Sequence, residues 1–241
     1  CQRIFYLLTN KFTSLEVHKK QLSGELKNLN QKFNLNLYFC KQKHNLMAKV
    51  NKISEISDCW WIPGDPLMKE YHDTEWGIPL HDDRKLFEFM VLDAFQAGLS
   101  WKTILYRREG FRKAFDNFDM EKIAVYDEQK VQQLMQDASI IRNQAKIRAT
   151  ITNAQHFISI QKEFGSFDAY IWQFTGGKTL HNHFNTISDI LPRSPQSDAM
   201  SKELQKRGFK FVGSTICYAF MQAAGMVNDH LNGCSRNPLK A

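Results

Sequence analysis

The sequence predicts an all-α protein of eight or nine short helices, arranged as one unit in two lobes. Three observations predict this class. Helix start and stop signals recur from residue 60 onward, apolar residues recur at helical spacing, and alternating strand patterns are nearly absent. The chain of 241 residues is long enough to bury a sizeable core, and no apolar run reaches the ~18 residues of a membrane span.

The first half of this region contains three helix starts. Asp65 precedes Pro66, which is a cap followed by proline at the first helical position. Asp82 precedes the run DRKLFEFMVLDAFQA, and Gly98 stops it. Ser100 is the predicted cap of a single helix with the sequence WKTILYRREGFRKAF.

The second half continues as helices separated by short connections. The predicted helical stretches are DMEKIAVY, DEQKVQQLMQD, the long NQAKIRATITNAQHFISIQKEF, a short SFDAYIWQF, SDAMSKELQKRG and STICYAFMQAAG. The last two end at glycine. Residues 176–195, with the sequence GGKTLHNHFNTISDILPRSP, are predicted to be mostly connection.

The positive charge of the chain is concentrated near its beginning. The formal net charge is +7, and residues 1–46 contain eight Lys or Arg against two Glu. Met47 begins a stretch that resembles a native start, so we interpret residues 1–46 as an upstream extension, with a real basic arm as the alternative. We predict residues 1–57 to be a poorly ordered or non-native extension, 58–235 to be the domain, and 236–241 to be a tail.

Two cysteine–histidine pairs are candidate metal ligands. The five cysteines of the chain are irregularly spaced, which argues against a disulfide framework and fits a reducing cytoplasm. Twelve residues separate Cys59 from His72, and three separate His230 from Cys234. Thiolate and imidazole suit tetrahedral zinc, and four protein ligands would make the metal structural. Spacing alone leaves an alternative, in which His72 is a base and Cys59 a buried hydrophobe.

A carboxylate interrupts the apolar face of the helix that follows Asp82. The apolar stripe consists of Leu86, Phe89, Met90, Ala94 and Ala97. Asp93 falls on the same stripe, where a carboxylate is costly unless it has a partner. It either bonds a helix N-terminus or an arginine, or it lines a pocket and meets a polar or cationic ligand.

Four aromatic residues could form the walls of such a pocket. They are Trp61, Tyr71, Trp76 and Trp101. Aromatic faces attract cations and stack on planar rings, so the pocket would suit a flat, positively charged ring. An ordinary aromatic core is the alternative.

The stretch LQKRGFKFVGSTICYAFMQAAG predicts two helices joined by a turn with Gly208 and Gly213. The amides of the turn and the N-terminus of the second helix would offer donors to a phosphate. Lys206, Arg207 and Lys210 add positive charge. Many helix pairs share such a glycine turn, so a purely structural turn is the alternative.

Several stretches together resemble the 3-methyladenine DNA glycosylase I family, of the helix-hairpin-helix superfamily. They are DPLMKEYHDTEWGIPL, FQAGLSW, QDASIIRN and SDAMSKELQKRGFKFVGSTICYAFMQAAGMVNDH, with the final Cys234. The resemblance implies a two-lobed all-α fold that holds double-stranded alkylated DNA in its cleft. It implies an enzyme that flips out and hydrolytically removes 3-methyladenine, leaving an abasic site. No lysine nucleophile is indicated, so we expect the enzyme to be monofunctional. It further implies a cytoplasmic monomer with free 3-methyladenine as product and no membrane partner.

The same resemblance implies roles for individual residues. Those implied for one structural zinc per chain are Cys59, His72, His230 and Cys234. Those implied for the base pocket are Asp93, as the main candidate for catalysis and recognition, Tyr71, Trp76, Trp101 and the neighbouring Trp61. Those implied for DNA contact are Gly208, Lys210 and Gly213 in a phosphate-gripping hairpin, and Leu99 as a wedge into the gap left by the flipped base.

Two positions depart from the family pattern. Asp93 stands where glutamate is usual, so its contact with the base is expected to be longer or bridged by water. Met68 stands where tyrosine is frequent, so a thioether replaces one ring. A third residue, Asp229, either stabilises the sugar cation or orients the neighbouring histidine.

Functions of other classes remain as alternatives. One is a non-catalytic helix-hairpin-helix module that binds DNA without turnover. A second is a zinc hydrolase of a small molecule, which needs an open position on the metal. A third is a helical interaction protein without a ligand, which leaves the buried carboxylate unexplained.

Overall fold

Helices make up most of the part of the chain that the computed structural model describes, which is residues 59, 61–62 and 64–239. In these residues the helices are α1 Pro66–Thr74, α2 Asp83–Gln96, α3 Trp101–Leu105, α4 Arg108–Ala114, α5 Met120–Ile123, α6 Glu128–Gln136, α7 Gln144–Phe164, α8 Phe167–Ile171, α9 Pro195–Lys206 and α10 Ser214–Ala223. Short 3-10 turns lie at Asp116–Phe118, Trp172–Thr175 and Ile187–Asp189. The prediction of a mostly helical protein is therefore confirmed. The expectations for residues 1–57 lie outside the described residues.

The predicted helix starts are confirmed by side-chain caps. The Asp65 carboxylate accepts a hydrogen bond from the Met68 amide at 3.0 Å, at the start of α1. Asp82 caps α2 in the same way, and Ser100 caps α3. Each cap satisfies an amide that the first turn of a helix leaves without a partner.

One predicted helix is divided in the structure. The stretch from residue 101 to 115 was expected to be a single helix, but it breaks at Arg107, whose φ and ψ are −105° and 1°. The new start turns Arg108 into the interior, where its guanidinium lies 2.7 Å from Glu75 and 2.5 Å from Glu88. These partners belong to other parts of the chain, so the local pattern cannot reveal the break.

A very short parallel ladder orders part of the predicted connection. β1, Leu180–His181, pairs with β2, Val227–Asn228, with Leu180 opposite Val227. The ladder holds the connection before α9 against the residues that follow α10. It thereby fixes the backbone immediately before Asp229 and His230.

Helix α2 lies at the centre of the core. All of its residues from Leu86 to Phe95 are buried, and α10, α3 and α7 pack around it. A residue on any face of this segment is therefore in the interior, and Asp93 is among them. None of the described helices combines the length and apolarity needed to cross a membrane.

Candidate functional site

A cavity of about 610 Å³ opens between α1, α2, α3, α10 and the loop around residue 190. Residues from all five segments line it. Those with rings or polar groups in its wall include Trp61, Tyr71, Trp76, Asp93, Trp101 and Gln222. The structure thus brings together the five residues that the sequence assigned to a pocket.

Asp93 is the buried carboxylate of this cavity. It is only 2% exposed, and its Oδ2 atom has no hydrogen-bond partner among the described residues. Burial raises the pKa of Asp93 well above its ordinary value. In the described residues, Asp93 therefore neither pairs with an arginine nor caps a helix, which were the alternatives to a pocket role. A buried polar atom without a partner calls for an explanation, and a ligand would supply one.

The aromatic side chains of the cavity contact one another. The centroids of Trp61 and Trp76 lie 5.2 Å apart in an edge-to-face arrangement, and those of Tyr71 and Trp101 lie 5.0 Å apart. The Nε1 atom of Trp101 is also buried, and it has no hydrogen-bond partner in the described part of the chain. Packing between rings limits their rotation, so the cavity keeps flat walls.

Helix α10 supplies one wall that the sequence analysis missed. Its cavity-lining residues are Thr215, Tyr218, Ala219 and Gln222. Their spacing of three, four and seven places them on one helix face. The signal that would have revealed them is this polar face on an otherwise apolar helix. Met68 of α1 is buried and also lines the cavity.

Asp229 is buried behind that wall. Its carboxylate accepts hydrogen bonds from Asn182 at 2.7 Å, from the Tyr218 hydroxyl at 2.7 Å and from the Gln222 amide at 2.8 Å. The neighbouring histidine has a different partner, because the Nε2 atom of His230 lies 3.1 Å from the carbonyl oxygen of Trp76. Asp229 therefore positions cavity residues rather than orienting the histidine.

A loop missed by the sequence analysis forms the rim of the cavity. Ile187, Ile190 and Leu191 line it, and Leu191 is 65% exposed. Lys102 also lines the cavity, and the ammonium of its largely exposed side chain pairs with Asp65 at 2.7 Å. The entrance thus has an apolar side and a side whose charges are already neutralised.

Two cysteines and two histidines form a buried cluster beside the cavity. The ligand atoms of Cys59, His72, His230 and Cys234 all lie within 4.8 Å of one another. The Sγ atom of Cys234 is 3.4 Å from His72 Nε2 and 3.5 Å from His230 Nδ1. In tetrahedral zinc sites, neighbouring sulfur and nitrogen ligands lie about 3.6 Å apart. The cluster therefore has the geometry and donor set of a metal site.

The charges of the cluster also suit a metal. Hydrogen bonds with Cys59 and with the two histidines lower the pKa of the Cys234 thiol. The thiolate is the form of cysteine that binds metals. The Cys59 Sγ atom lies 3.6 Å from His230 Nδ1, so the cluster joins the first and last described segments of the chain.

Helices α9 and α10 form a hairpin around a glycine turn. Gly208 has a φ of +96°, and a Cβ atom there would lie 2.5 Å from the His156 imidazole. Gly213 caps α10, and Lys210 between them is exposed. The charge of Arg207 is already neutralised within the protein, because its guanidinium pairs with Glu163 at 2.7 Å and with Glu203 at 2.9 Å.

Helix α7 holds both this hairpin and the turn before α3. The Asn153 amide accepts a hydrogen bond from the backbone N–H of Lys210 at 2.8 Å and donates one to its carbonyl at 3.0 Å. The buried ammonium of Lys146 donates to the carbonyls of Phe95 and Ala97 at 2.8 and 2.6 Å. The turn that follows Ala97 presents Leu99, which is 41% exposed.

Known proteins are similar to this chain over most of its described part. The family model described as methyladenine glycosylase matches residues 61–237. DNA-3-methyladenine glycosylase 1 of Escherichia coli is 47% identical over 180 residues, which are 75% of this chain and 96% of the relative.

Solved structures match over the same extent. A crystal structure of a 3-methyladenine DNA glycosylase I has a TM-score of 0.74 at 46% identity, over 75% of this chain and all of that one. A structure of 3-methyladenine DNA glycosylase I from Staphylococcus aureus, described for its recognition of 3-methyladenine, has a TM-score of 0.73 at 34% identity. It covers 76% of this chain and 97% of that one.

Proposed function

Since the chain belongs to the methyladenine glycosylase family, its reaction is the excision of 3-methyladenine in base-excision DNA repair, and we propose how its own residues carry the reaction out. The observation that carries the proposal is the unpartnered Oδ2 atom of Asp93, buried in an aromatic-walled cavity. A cationic ligand with a flat ring would satisfy that atom.

The chemistry of the damaged base explains why these groups suffice. Methylation at N3 puts a positive charge on the adenine of the nucleotide, so the base becomes a good leaving group. The protein needs to flip the nucleotide into the cavity, bind the cation and admit water to the sugar. The products are free 3-methyladenine and an abasic site. Among the described residues, Lys102 is the lysine that lines the cavity, and its ammonium is held by the Asp65 carboxylate at 2.7 Å. We therefore infer a monofunctional enzyme without lyase activity.

We propose that recognition combines stacking with charge. Tyr71, Trp76 and Trp101 would offer faces to the base, and Trp61, which packs edge-to-face on Trp76, lines the same cavity. A cation–π contact contributes about 0.5–2 kcal/mol, and a hydrogen bond to a charged group about 1.5–3 kcal/mol. A neutral adenine would gain less from each group. The positive base also supplies the counter-charge that keeps Asp93 ionised.

DNA contact is proposed for two exposed features. The turn with Gly208, Lys210 and Gly213 would hold a phosphate through backbone amides and the N-terminus of α10. Leu99 would fill the space that the flipped base leaves in the duplex. We propose duplex DNA as the partner, with the protein acting as a cytoplasmic monomer.

The metal of the buried cluster is proposed to be one zinc ion with a structural role. Cys59, His72, His230 and Cys234 would provide four protein ligands, which leaves no open position for substrate. A zinc hydrolase is thereby disfavoured. When bound, the ion would hold the beginning of the domain to its end. None of the steps of base removal passes through it.

The experiment that tests the proposed function is incubation of the purified protein with methylated duplex DNA. We expect chromatography of the released bases to show free 3-methyladenine, and the DNA to acquire abasic sites without strand cleavage. Binding of the duplex without any released base would instead support a non-catalytic DNA-binding module.

A further inference from the structure

The wall formed by α10 contains a glutamine whose amide has a fixed orientation. Gln222 lies on the cavity-facing side of α10, seven residues after Thr215. Its Nε2 atom lies 2.8 Å from Oδ2 of Asp229. A carboxylate only accepts hydrogen bonds, so the amide must turn its NH₂ group toward Asp229.

The carboxylate that holds the Gln222 amide is itself held by two further hydrogen bonds. Asp229 is 1% exposed and also accepts hydrogen bonds from Tyr218 and Asn182. With three donors on the carboxylate, rotation of the Gln222 amide would place its oxygen against a carboxylate oxygen. That arrangement is repulsive, and it would also leave a buried acceptor short of one donor.

The fixed orientation determines which group the cavity receives. When the nitrogen of a carboxamide is held on one side, its oxygen faces another direction. The Oε1 atom of Gln222 has no hydrogen-bond partner among the described residues, and the side chain borders the cavity. At Gln222, the α10 wall therefore presents a hydrogen-bond acceptor rather than a donor.

We propose that Gln222, held by Asp229, is a specificity-determining residue whose carbonyl oxygen accepts a hydrogen bond from the exocyclic amino group of the methylated adenine. A methylated guanine carries a carbonyl oxygen at the equivalent ring position, which would face Gln222 oxygen to oxygen. Charge recognition by Asp93 does not separate these two bases, since methylation at N3 makes both of them cationic in DNA. This inference rests on the proposed function.

The test compares two products from one substrate. A duplex methylated at both adenine and guanine is incubated with excess enzyme, and the release of 3-methyladenine and 3-methylguanine is followed by chromatography. Gln222→Met removes the acceptor and keeps the length of the side chain. We expect the ratio of the 3-methyladenine rate to the 3-methylguanine rate to fall about tenfold or more.

Two further variants separate this role from a loss of folding. Asp229→Asn keeps Gln222 but allows its amide to turn, so the same ratio should fall in that variant too. Gln161→Met is the matched control, because Gln161 donates to the Asp83 carboxylate at 2.7 Å outside the cavity. We expect the ratio to be unchanged in the control.

The outcomes are distinguishable from those of the proposed function. If the wild-type protein releases no methylated base, the proposed function fails and this inference fails with it. If the wild type excises 3-methyladenine and Gln222→Met slows both bases by the same factor, or leaves the ratio as it was, only the role of Gln222 is overturned.

Discussion

The ring of Trp101 lies against the phenol ring of Tyr71, with centroids 5.0 Å apart and planes inclined at 44°. Tyr71 in turn contacts Phe89 of α2 at 6.2 Å. The two pocket rings are thus held by the same helix that holds Asp93. This arrangement requires little reordering when a planar base binds, which favours affinity.

Substitution of Trp101 should therefore weaken binding of the free base. We expect Trp101→Ala to raise the dissociation constant of 3-methyladenine about tenfold or more, because stacking on an aromatic ring contributes about 1–3 kcal/mol per base. Calorimetric titration or NMR measures the change. An unchanged dissociation constant would show that Trp101 is not a stacking surface.

Substitution of Asp93 should separate activity from stability. Asp93→Asn removes the charge that we propose to recognise the cation, so we expect a lower single-turnover rate of excision while duplex binding persists. The same variant should melt at a higher temperature than the wild type at neutral pH, because it no longer buries an ionisable carboxyl. A difference of 1 kcal/mol corresponds to about 2–4 °C for a domain of this size.

The pH dependence of that stability difference has a definite sign. Burial raises the native-state pKa of Asp93 above its unfolded-state value. Its contribution to stability is then complete below the unfolded pKa and is lost as pH rises through the native pKa. The melting temperatures of the two proteins should converge at acid pH and separate toward neutral pH. An equal difference at every pH, or an unchanged excision rate, would contradict the role of Asp93.

Metal content provides a third prediction. We expect elemental analysis of the purified protein to find one zinc per chain, and Cys234→Ala to lower the melting temperature because the cluster joins distant segments. Cys217→Ala is a comparison variant, since Cys217 is buried but lies outside the cluster. A metal-free protein of unchanged stability would exclude the metal site.

The hairpin gives a fourth prediction. Lys210→Ala should weaken duplex binding equally for all sequences and reduce the slope of affinity against salt by about one, as expected when one phosphate contact is lost. Affinity for free 3-methyladenine should not change. Lys113→Ala, at an exposed position of α4, is the control. If the salt slope of Lys210→Ala equals that of the wild type, Lys210 does not contact a phosphate.

Local patterns explain which parts of the fold could be predicted. Helix starts at Asp65, Asp82 and Ser100 follow from a side chain and an amide three residues apart, so a short window of sequence contains all the information. Helical spacing along α2 also predicts the burial of Asp93, although in the structure every residue from Leu86 to Phe95 is buried.

Long-range relationships explain what could not be predicted. Cys59 and His230 are 171 residues apart, and their spacing gives no reason to bring them together. The break at Arg107 depends on partners in α2 and in the segment after α1. The orientation of Gln222 depends on Asp229, which is recognised as a partner only when α10 and β2 are placed in space.

Helix α7 determines the distance between the turn that carries Leu99 and the hairpin that carries Lys210. Lys146 and Asn153 are seven residues apart, which is about 10 Å along a helix axis. One fixes the turn that carries Leu99, and the other fixes the backbone at Lys210. Leu99 and Lys210 are the proposed DNA contacts, and α7 keeps the distance between them constant. The hairpin at Lys210 would then bind the DNA backbone at the same number of nucleotides from the flipped-out base in every complex, whatever the surrounding sequence.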